Sequence, residues 1–174
     1  PLMYEDVQTL WQYHNVGTKK SPEKRLERLW HGSRDSARTP VQWDNTENAG
    51  FSTATPWFYV NDNYKEVNVA MQEQDKDSIL NFYRKAIKLR KELSCVKYGN
   101  YIEYNKSSSK LYVYTREDDK QKILVVCSYS EGMEEIKAPA GFDLDKAELI
   151  LNNYDSMATS VLKPYETRVY LMNK

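Results

Sequence analysis

The sequence predicts an α+β chain in which a helical section is followed by an antiparallel β-sandwich. Two observations predict it. Apolar residues recur at helical spacing up to residue 93 and alternate in short strand-like runs from about residue 100 onward. Polar turns separate those later runs, as in a sandwich or barrel. The expected boundary lies between 93 and 94, giving parts 1–93 and 94–174.

The first helix is expected over residues 5–14, where Val7, Leu10, Trp11 and His14 fall on one face. A second starts at Ser21-Pro22: serine suits the N-cap, proline the first helical position, and Glu23 the positive end of the helix. Leu26, Leu29 and Trp30 form its stripe, and Gly32 is placed to end it in a left-handed cap. A third runs over 78–93, with Asp77 as expected N-cap, a stripe of Leu80, Tyr83 and Ile87 widened by Ile79 and Ala86, and Arg90-Lys91 near its negative end.

Between Ser33 and Asp77 there is little periodicity. The stretch holds Trp43, Phe51, Trp57, Phe58, Tyr59 and Tyr64, a content foreign to disordered chains, so it reads as a long ordered loop. Such loops build walls of active sites or pack on their own domain.

Strands are expected at 101–104, 111–116, 123–127, 134–137, 147–151 and 167–171. Asn105-Lys106-Ser107 matches a glycosylation pattern but reads as a turn.

The 174 residues carry no formal net charge, which offers no basic surface for nucleic acid. The chain begins at Pro1 with no charged-then-apolar leader and has no run long enough to span a membrane. It is therefore expected to be a soluble, cytoplasmic piece of a longer protein. Cys95 and Cys127 read as reduced, buried thiols, and with His14 and His31 they make no metal-ligand spacing. Tyrosine, with 14 copies beside 4 tryptophans, suits half-buried positions and sugar-facing surfaces alike.

The most informative stretch is Ser33-Arg34-Asp35-Ser36-Ala37-Arg38-Thr39-Pro40-Val41-Gln42-Trp43-Asp44, followed by Asn48-Ala49-Gly50-Phe51, Pro56-Trp57-Phe58-Tyr59-Val60-Asn61 and Asn63-Tyr64-Lys65-Glu66-Val67-Asn68-Val69. It resembles the loop after the eighth barrel strand in the oligo-1,6-glucosidase group of glycoside hydrolase family 13, which also holds maltases, dextran glucosidases, trehalose-6-phosphate hydrolases and sucrose isomerases. Leu89-Arg90-Lys91 is similar to the end of that family's last barrel helix, and Pro164-Tyr165-Glu166 to its final turn. Val41 departs from the usual methionine, an exchange of one apolar side chain for another.

The resemblance implies that 1–93 is the tail of a (β/α)8 barrel and 94–174 the C-terminal sandwich of a retaining α-glucosidase. The parent would hydrolyse α-glucosidic bonds of short oligosaccharides, with α-1,6 the linkage expected, without a redox or organic cofactor. The chain's partners would be that substrate and the rest of the barrel. The resemblance places the catalytic carboxyls, which retaining hydrolysis needs about 5 Å apart, outside this segment. Glu134-Glu135 and Asp118-Asp119 read instead as charged turns.

Arg34 matches the arginine that reaches the bound glucose in this family. A guanidinium fork binds two hydroxyls or holds a carboxylate. Without the resemblance, the expected role is bracing to Asp35 or Asp44. Arg38, Gln42, Asn48 and Asn61 read as loop scaffolding, and Asp35, Trp43 and Trp57 as loop support, the tryptophans alternatively as sugar-stacking rings. From another class, the rival is a stand-alone carbohydrate-binding or structural sandwich. Within the enzymes, the rivals are a sucrose isomerase and a trehalose-6-phosphate hydrolase.

Overall fold

A computed structural model describes residues 6–154 and 159–174, apart from the side chain of Ser36; Glu5, the start of the expected first helix, lies outside that range. The chain divides into two units, one ending at Asp75 and one running from Lys76 to Lys174.

In the first unit, α1 spans Val7–Asn15 and α2 Pro22–Gly32. Asp6 caps α1 and Ser21 caps α2, each accepting from a backbone N–H of the first turn. The stripe expected on α1 is not a buried face: Val7, Leu10 and Trp11 are exposed, and the buried residue is Thr9. On α2 only Leu29 is buried. Gly32 is the last helical residue rather than a left-handed cap. The helix ends because Ser33 turns extended while its N–H still donates to the Leu29 carbonyl, so no positive φ is required.

The loop carries local structure that aperiodic sequence did not reveal. Short 3-10 turns cover Asp35–Ala37, Glu47–Gly50 and Asp62–Lys65, and a helix α3 spans Val69–Gln74. Asn68 caps α3: its amide oxygen accepts from Met71 N–H at 2.9 Å while its amide nitrogen donates to the Tyr64 carbonyl at 2.8 Å. Two first-turn amides of α3, from Val69 and Ala70, reach back to the carbonyls of Gln42 and Trp43.

In the second unit, α4 spans Ile79–Glu92. Its N-cap is Ser78, not Asp77, because the Ser78 hydroxyl accepts from Asn81 N–H. Ile79, Tyr83 and Ile87, one turn apart, are exposed, and no α4 residue is fully buried. A short helix α5, Ser94–Tyr98, follows at the start of the part expected to be sandwich.

The strands are β1 Asn100–Tyr104, β2 Leu111–Glu117, β3 Gln121–Ser128, β4 Glu134–Glu135, β5 Glu148–Asn152, β6 Val161–Leu162 and β7 Thr167–Asn173. All pairings are antiparallel. One sheet has the order β1-β2-β3-β7-β5 and a ribbon pairs β4 with β6, a strand too short to show any alternation. The helices followed by antiparallel sheets make the chain α+β, as the sequence predicted. Residues 105–107 do form the turn of the β1–β2 hairpin.

The central strand β3 is buried on both faces, which explains why it reads as a continuous apolar run rather than an alternating one. Leu124 and Val126 join Val113, Ile136, Phe142, Leu162 and Tyr170 in a core between sheet and ribbon. Ile123 and Val125 pack on the opposite face with Cys95 of α5. Both cysteines are free, Cys95 buried and Cys127 half-buried.

Sheet and ribbon are tied by a buried ion pair. Arg168 of β7 donates through Nε to Glu166 at 2.6 Å, and its remaining nitrogens donate to the carbonyls of Thr159, just before β6, and of Val161 within it. Both side chains are fully enclosed. Burial pushes the Glu166 carboxyl up, but the Arg168 guanidinium and the Lys163 N–H outweigh it and leave it below its ordinary range.

Candidate functional site

The polar cluster that singles itself out in the first unit is organised by a residue the sequence reading missed. Asp6, at the start of α1, is buried and holds one carboxylate oxygen toward Thr9: the backbone N–H at 3.0 Å and the hydroxyl at 3.1 Å. Its other oxygen, Oδ1, accepts from Arg34 at 2.6 Å and from Arg38 at 3.1 Å. Asp35, also buried, accepts the backbone N–H of Asp6 with both carboxylate oxygens, at 3.0 and 3.2 Å. Ser33 completes the knot, its hydroxyl bonded to that of Thr9 and accepting from Asp35 N–H.

Local structure explains the convergence. The single 3-10 turn at Asp35–Ala37 places Arg34 and Arg38, four residues apart, on its two shoulders. One carboxylate at the α1 N-terminus can then take both guanidiniums. Burial pushes the Asp6 carboxyl up; the Arg34 guanidinium and the Thr9 donors overcome this, and it lies below the usual carboxylate range. The partner of Arg34 is thus Asp6, while Asp35 accepts the Asp6 backbone N–H and Asp44 closes its own turn with Thr46. The signal for Asp6 was present in outline: an acidic residue three positions before Thr9, at the start of a helical pattern. What sequence cannot show is that a carboxylate 28 residues away takes the Arg34 charge.

Bracing uses only part of each fork. The Arg34 side chain is 51% exposed and that of Arg38 46%. A guanidinium has five donors, so a fixed fork with a solvent-facing edge can still bind hydroxyls or an anionic oxygen.

The other singled-out residues lie further along the loop. Gln42 donates to the Val67 carbonyl, fastening the loop start to the approach of α3. Asn48 donates to the carbonyls of Ser52 and Ala54. Asn48, Ala49 and Gly50 are three successive left-handed residues. Their backbone turns so that the Ala49 carbonyl accepts from Trp43 and Asp44 N–H. A Cβ on Gly50 would lie 2.6 Å from the Asp44 carboxylate, so glycine is needed there on both counts. Asn61 stands at the start of the 62–65 turn, its carbonyl taking the Tyr64 N–H. Trp43 and Trp57 are both exposed, Trp57 edge-on to buried Phe58.

The acidic pairs elsewhere are structural. Asp118 accepts from Lys120 N–H, Gln121 N–H and the Ser94 hydroxyl, and Glu134 pairs with Lys110 at 3.0 Å. Among the described residues no group of three or more His, Cys, Asp or Glu could hold a metal ion, and no helix is long and apolar enough to cross a membrane.

Comparison with known proteins identifies the family. The alpha amylase catalytic-domain family model matches residues 5–99. The chain is 36% identical over 174 residues to an oligo-1,6-glucosidase of Parageobacillus thermoglucosidasius, covering 96% of this chain and 31% of the relative. A trehalose-6-phosphate hydrolase structure from Bacillus licheniformis superposes with a TM-score of 0.90 at 35% identity, covering 98% of this chain and 32% of that one. An isomaltulose synthase structure from Protaminobacter rubrum gives 0.87 at 33% identity, covering 98% and 32%. The chain thus spans about a third of the length of these relatives. With the family model matching more than half of its residues, the chain belongs to the alpha-amylase family, glycoside hydrolase family 13.

Proposed function

We propose that this chain forms part of a retaining α-glucosidase acting on α-1,6 bonds of short oligosaccharides, and that its own contribution to the site is Arg34. The observation that carries this reading is the half-exposed Arg34 guanidinium anchored to buried Asp6. An anchored fork pays less ordering entropy when a sugar hydroxyl arrives. The α-1,6 preference is supported by oligo-1,6-glucosidases from several bacteria among the relatives. The free cysteines are in keeping with a cytoplasmic setting. In this reading residues 1–93 belong with the catalytic barrel, and 94–174 form the C-terminal sandwich.

Trehalose-6-phosphate hydrolase and isomaltulose synthase match over the same region at similar identity. They are the alternatives for the parent activity.

The described residues offer no carboxylate arrangement assigned to bond cleavage, so the purified chain is expected not to turn over p-nitrophenyl α-glucoside. Turnover that is lost in Arg34→Ala would overturn this account. In the full enzyme carrying this segment, Arg34→Ala should lower kcat/KM for isomaltose by roughly 10- to 100-fold, the worth of a charged hydrogen bond. Arg34→Lys should recover only part of it, since an ammonium has no fork.

A further inference from the structure

A second polar and aromatic cluster lies on the β-sheet, away from Arg34 in sequence. Tyr101 of β1 and Tyr112 and Tyr114 of β2 share one face. Tyr114 has ring centroids 5.4 Å from Tyr101 and 5.3 Å from Tyr112. The Tyr101 hydroxyl donates to Glu103 Oε2 at 2.9 Å and bonds the Tyr112 hydroxyl at 2.9 Å. Tyr112 is thereby held at both ends, by ring packing and by its phenol, although it is 37% exposed.

Beside it the β1–β2 turn opens a shallow groove of about 250 Å³ lined by Glu103, Asn105, Lys106, Ser108, Leu111, Tyr112 and Tyr129. Left-handed Asn105 bends the chain there, and the Ser108 hydroxyl accepts from Lys110 and Leu111 N–H, which fixes the turn. Ser108 keeps its own proton to donate.

We propose that this groove binds a neutral pyranose unit of an oligosaccharide, with Tyr112 and Tyr129 against its C–H face and Glu103, Asn105, Lys106 and Ser108 around its hydroxyls. The inventory selects the ligand. A carboxylate accepts, an ammonium donates, and an amide and a hydroxyl do both, which suits a ring whose rim alternates donors and acceptors. A flat apolar ligand would leave these groups unpaired. Glu103 repels an anion and Lys106 a cation, so charge favours a neutral ligand. The volume is below the roughly 300–1,000 Å³ of drug-sized sites, which fits one ring with the rest of the ligand in solvent. The held tyrosine reduces the ordering cost of stacking. This site is independent of Arg34 and of which bond the parent enzyme cleaves.

The test is titration of the chain with maltotriose, followed by NMR and calorimetry. Saturable binding in the millimolar range is expected, with shifts at the β1–β2 turn and at Tyr129. Tyr129→Ala, an exposed position outside the strands, and Glu103→Gln should each weaken it about tenfold or more. Arg34→Ala should leave it unchanged. Cellotriose distinguishes a general pyranose site, where it binds alike, from an α-linked preference, and either supports the proposal. Absence of saturable binding, or binding indifferent to both groove variants while Arg34→Ala abolishes it, overturns it. Loss of maltotriose binding would not touch the Arg34 reading, which stands on kcat/KM.

Discussion

At Asp6 one carboxylate accepts from two guanidiniums and from a helix N-terminus. Its lowered proton affinity has a definite consequence for stability. A carboxyl whose folded affinity is depressed stabilises the fold above its unfolded pKa of about 3.9, and that contribution is lost as pH falls through the folded value. Asp6→Asn should therefore lower the melting temperature at neutral pH and flatten its fall between about pH 5 and pH 3. Thermal melts across that range, with wild type alongside, measure this. Equal acid slopes would mean that Asp6 is not the titrating group. The same sign holds for Glu166, whose carboxyl is also held below its ordinary range and is enclosed with Arg168. Arg168→Met strands a buried carboxylate and should cost about 3–5 kcal/mol in urea unfolding, while adding Glu166→Leu should recover most of it. The sequence made Arg34 legible through its surroundings, but not Asp6 or Arg168. The Asp6 carboxylate meets Arg34 across 28 residues, and although Glu166 is only two residues from Arg168, nothing in that spacing announces that the pair is buried.

At the level of elements, legibility followed periodicity. The α2 start was readable because Ser21-Pro22 states the cap chemistry outright, and β3 because five apolar residues in a row need burial on both faces. Helix α3, helix α5 and strand β6 were not readable, since six, five and two residues do not complete enough turns or alternations to carry a period. Helix α4 was predicted over 78–93, with an apolar stripe expected to be left bare because it suits the covering of a barrel. Its apolar stripe of Ile79, Tyr83 and Ile87 faces solvent among the described residues. Such a face should bind a hydrophobic dye. Replacing Ile79 and Ile87 by glutamate should reduce dye fluorescence severalfold with little change in urea midpoint, because exposed apolar side chains contribute little to this chain's own fold. A strictly monomeric wild-type chain that binds no dye would show the face is covered.

Across the whole molecule, the two units carry different kinds of information. The first is built on side-chain to backbone bonds, from Gln42, Asn48 and Asn68, that stand in for regular structure along the loop. Its aperiodic composition is what made the family resemblance specific, since fixed polar positions constrain a sequence more than an apolar stripe does. The second unit is built on two apolar clusters either side of one sheet, and its strands were legible from short apolar runs, alternating in most and continuous in β3. Leu124→Ala, a fully buried change in the centre of that sheet, should destabilise by about 2–5 kcal/mol with an unchanged m-value. Equilibrium urea unfolding gives both numbers.

The order of strands in that sheet also sets a timetable. β1, β2 and β3 are joined by short turns and can pair as they emerge, yet β7, the last strand of this chain, lies between β3 and β5. Until Thr167–Asn173 has been synthesised, the inner edge of β3 and the inner edge of β5 have no partner in the sheet. During translation the growing chain therefore carries two open strand edges at once, a window in which edge-to-edge association with another nascent chain competes with completion of its own sheet.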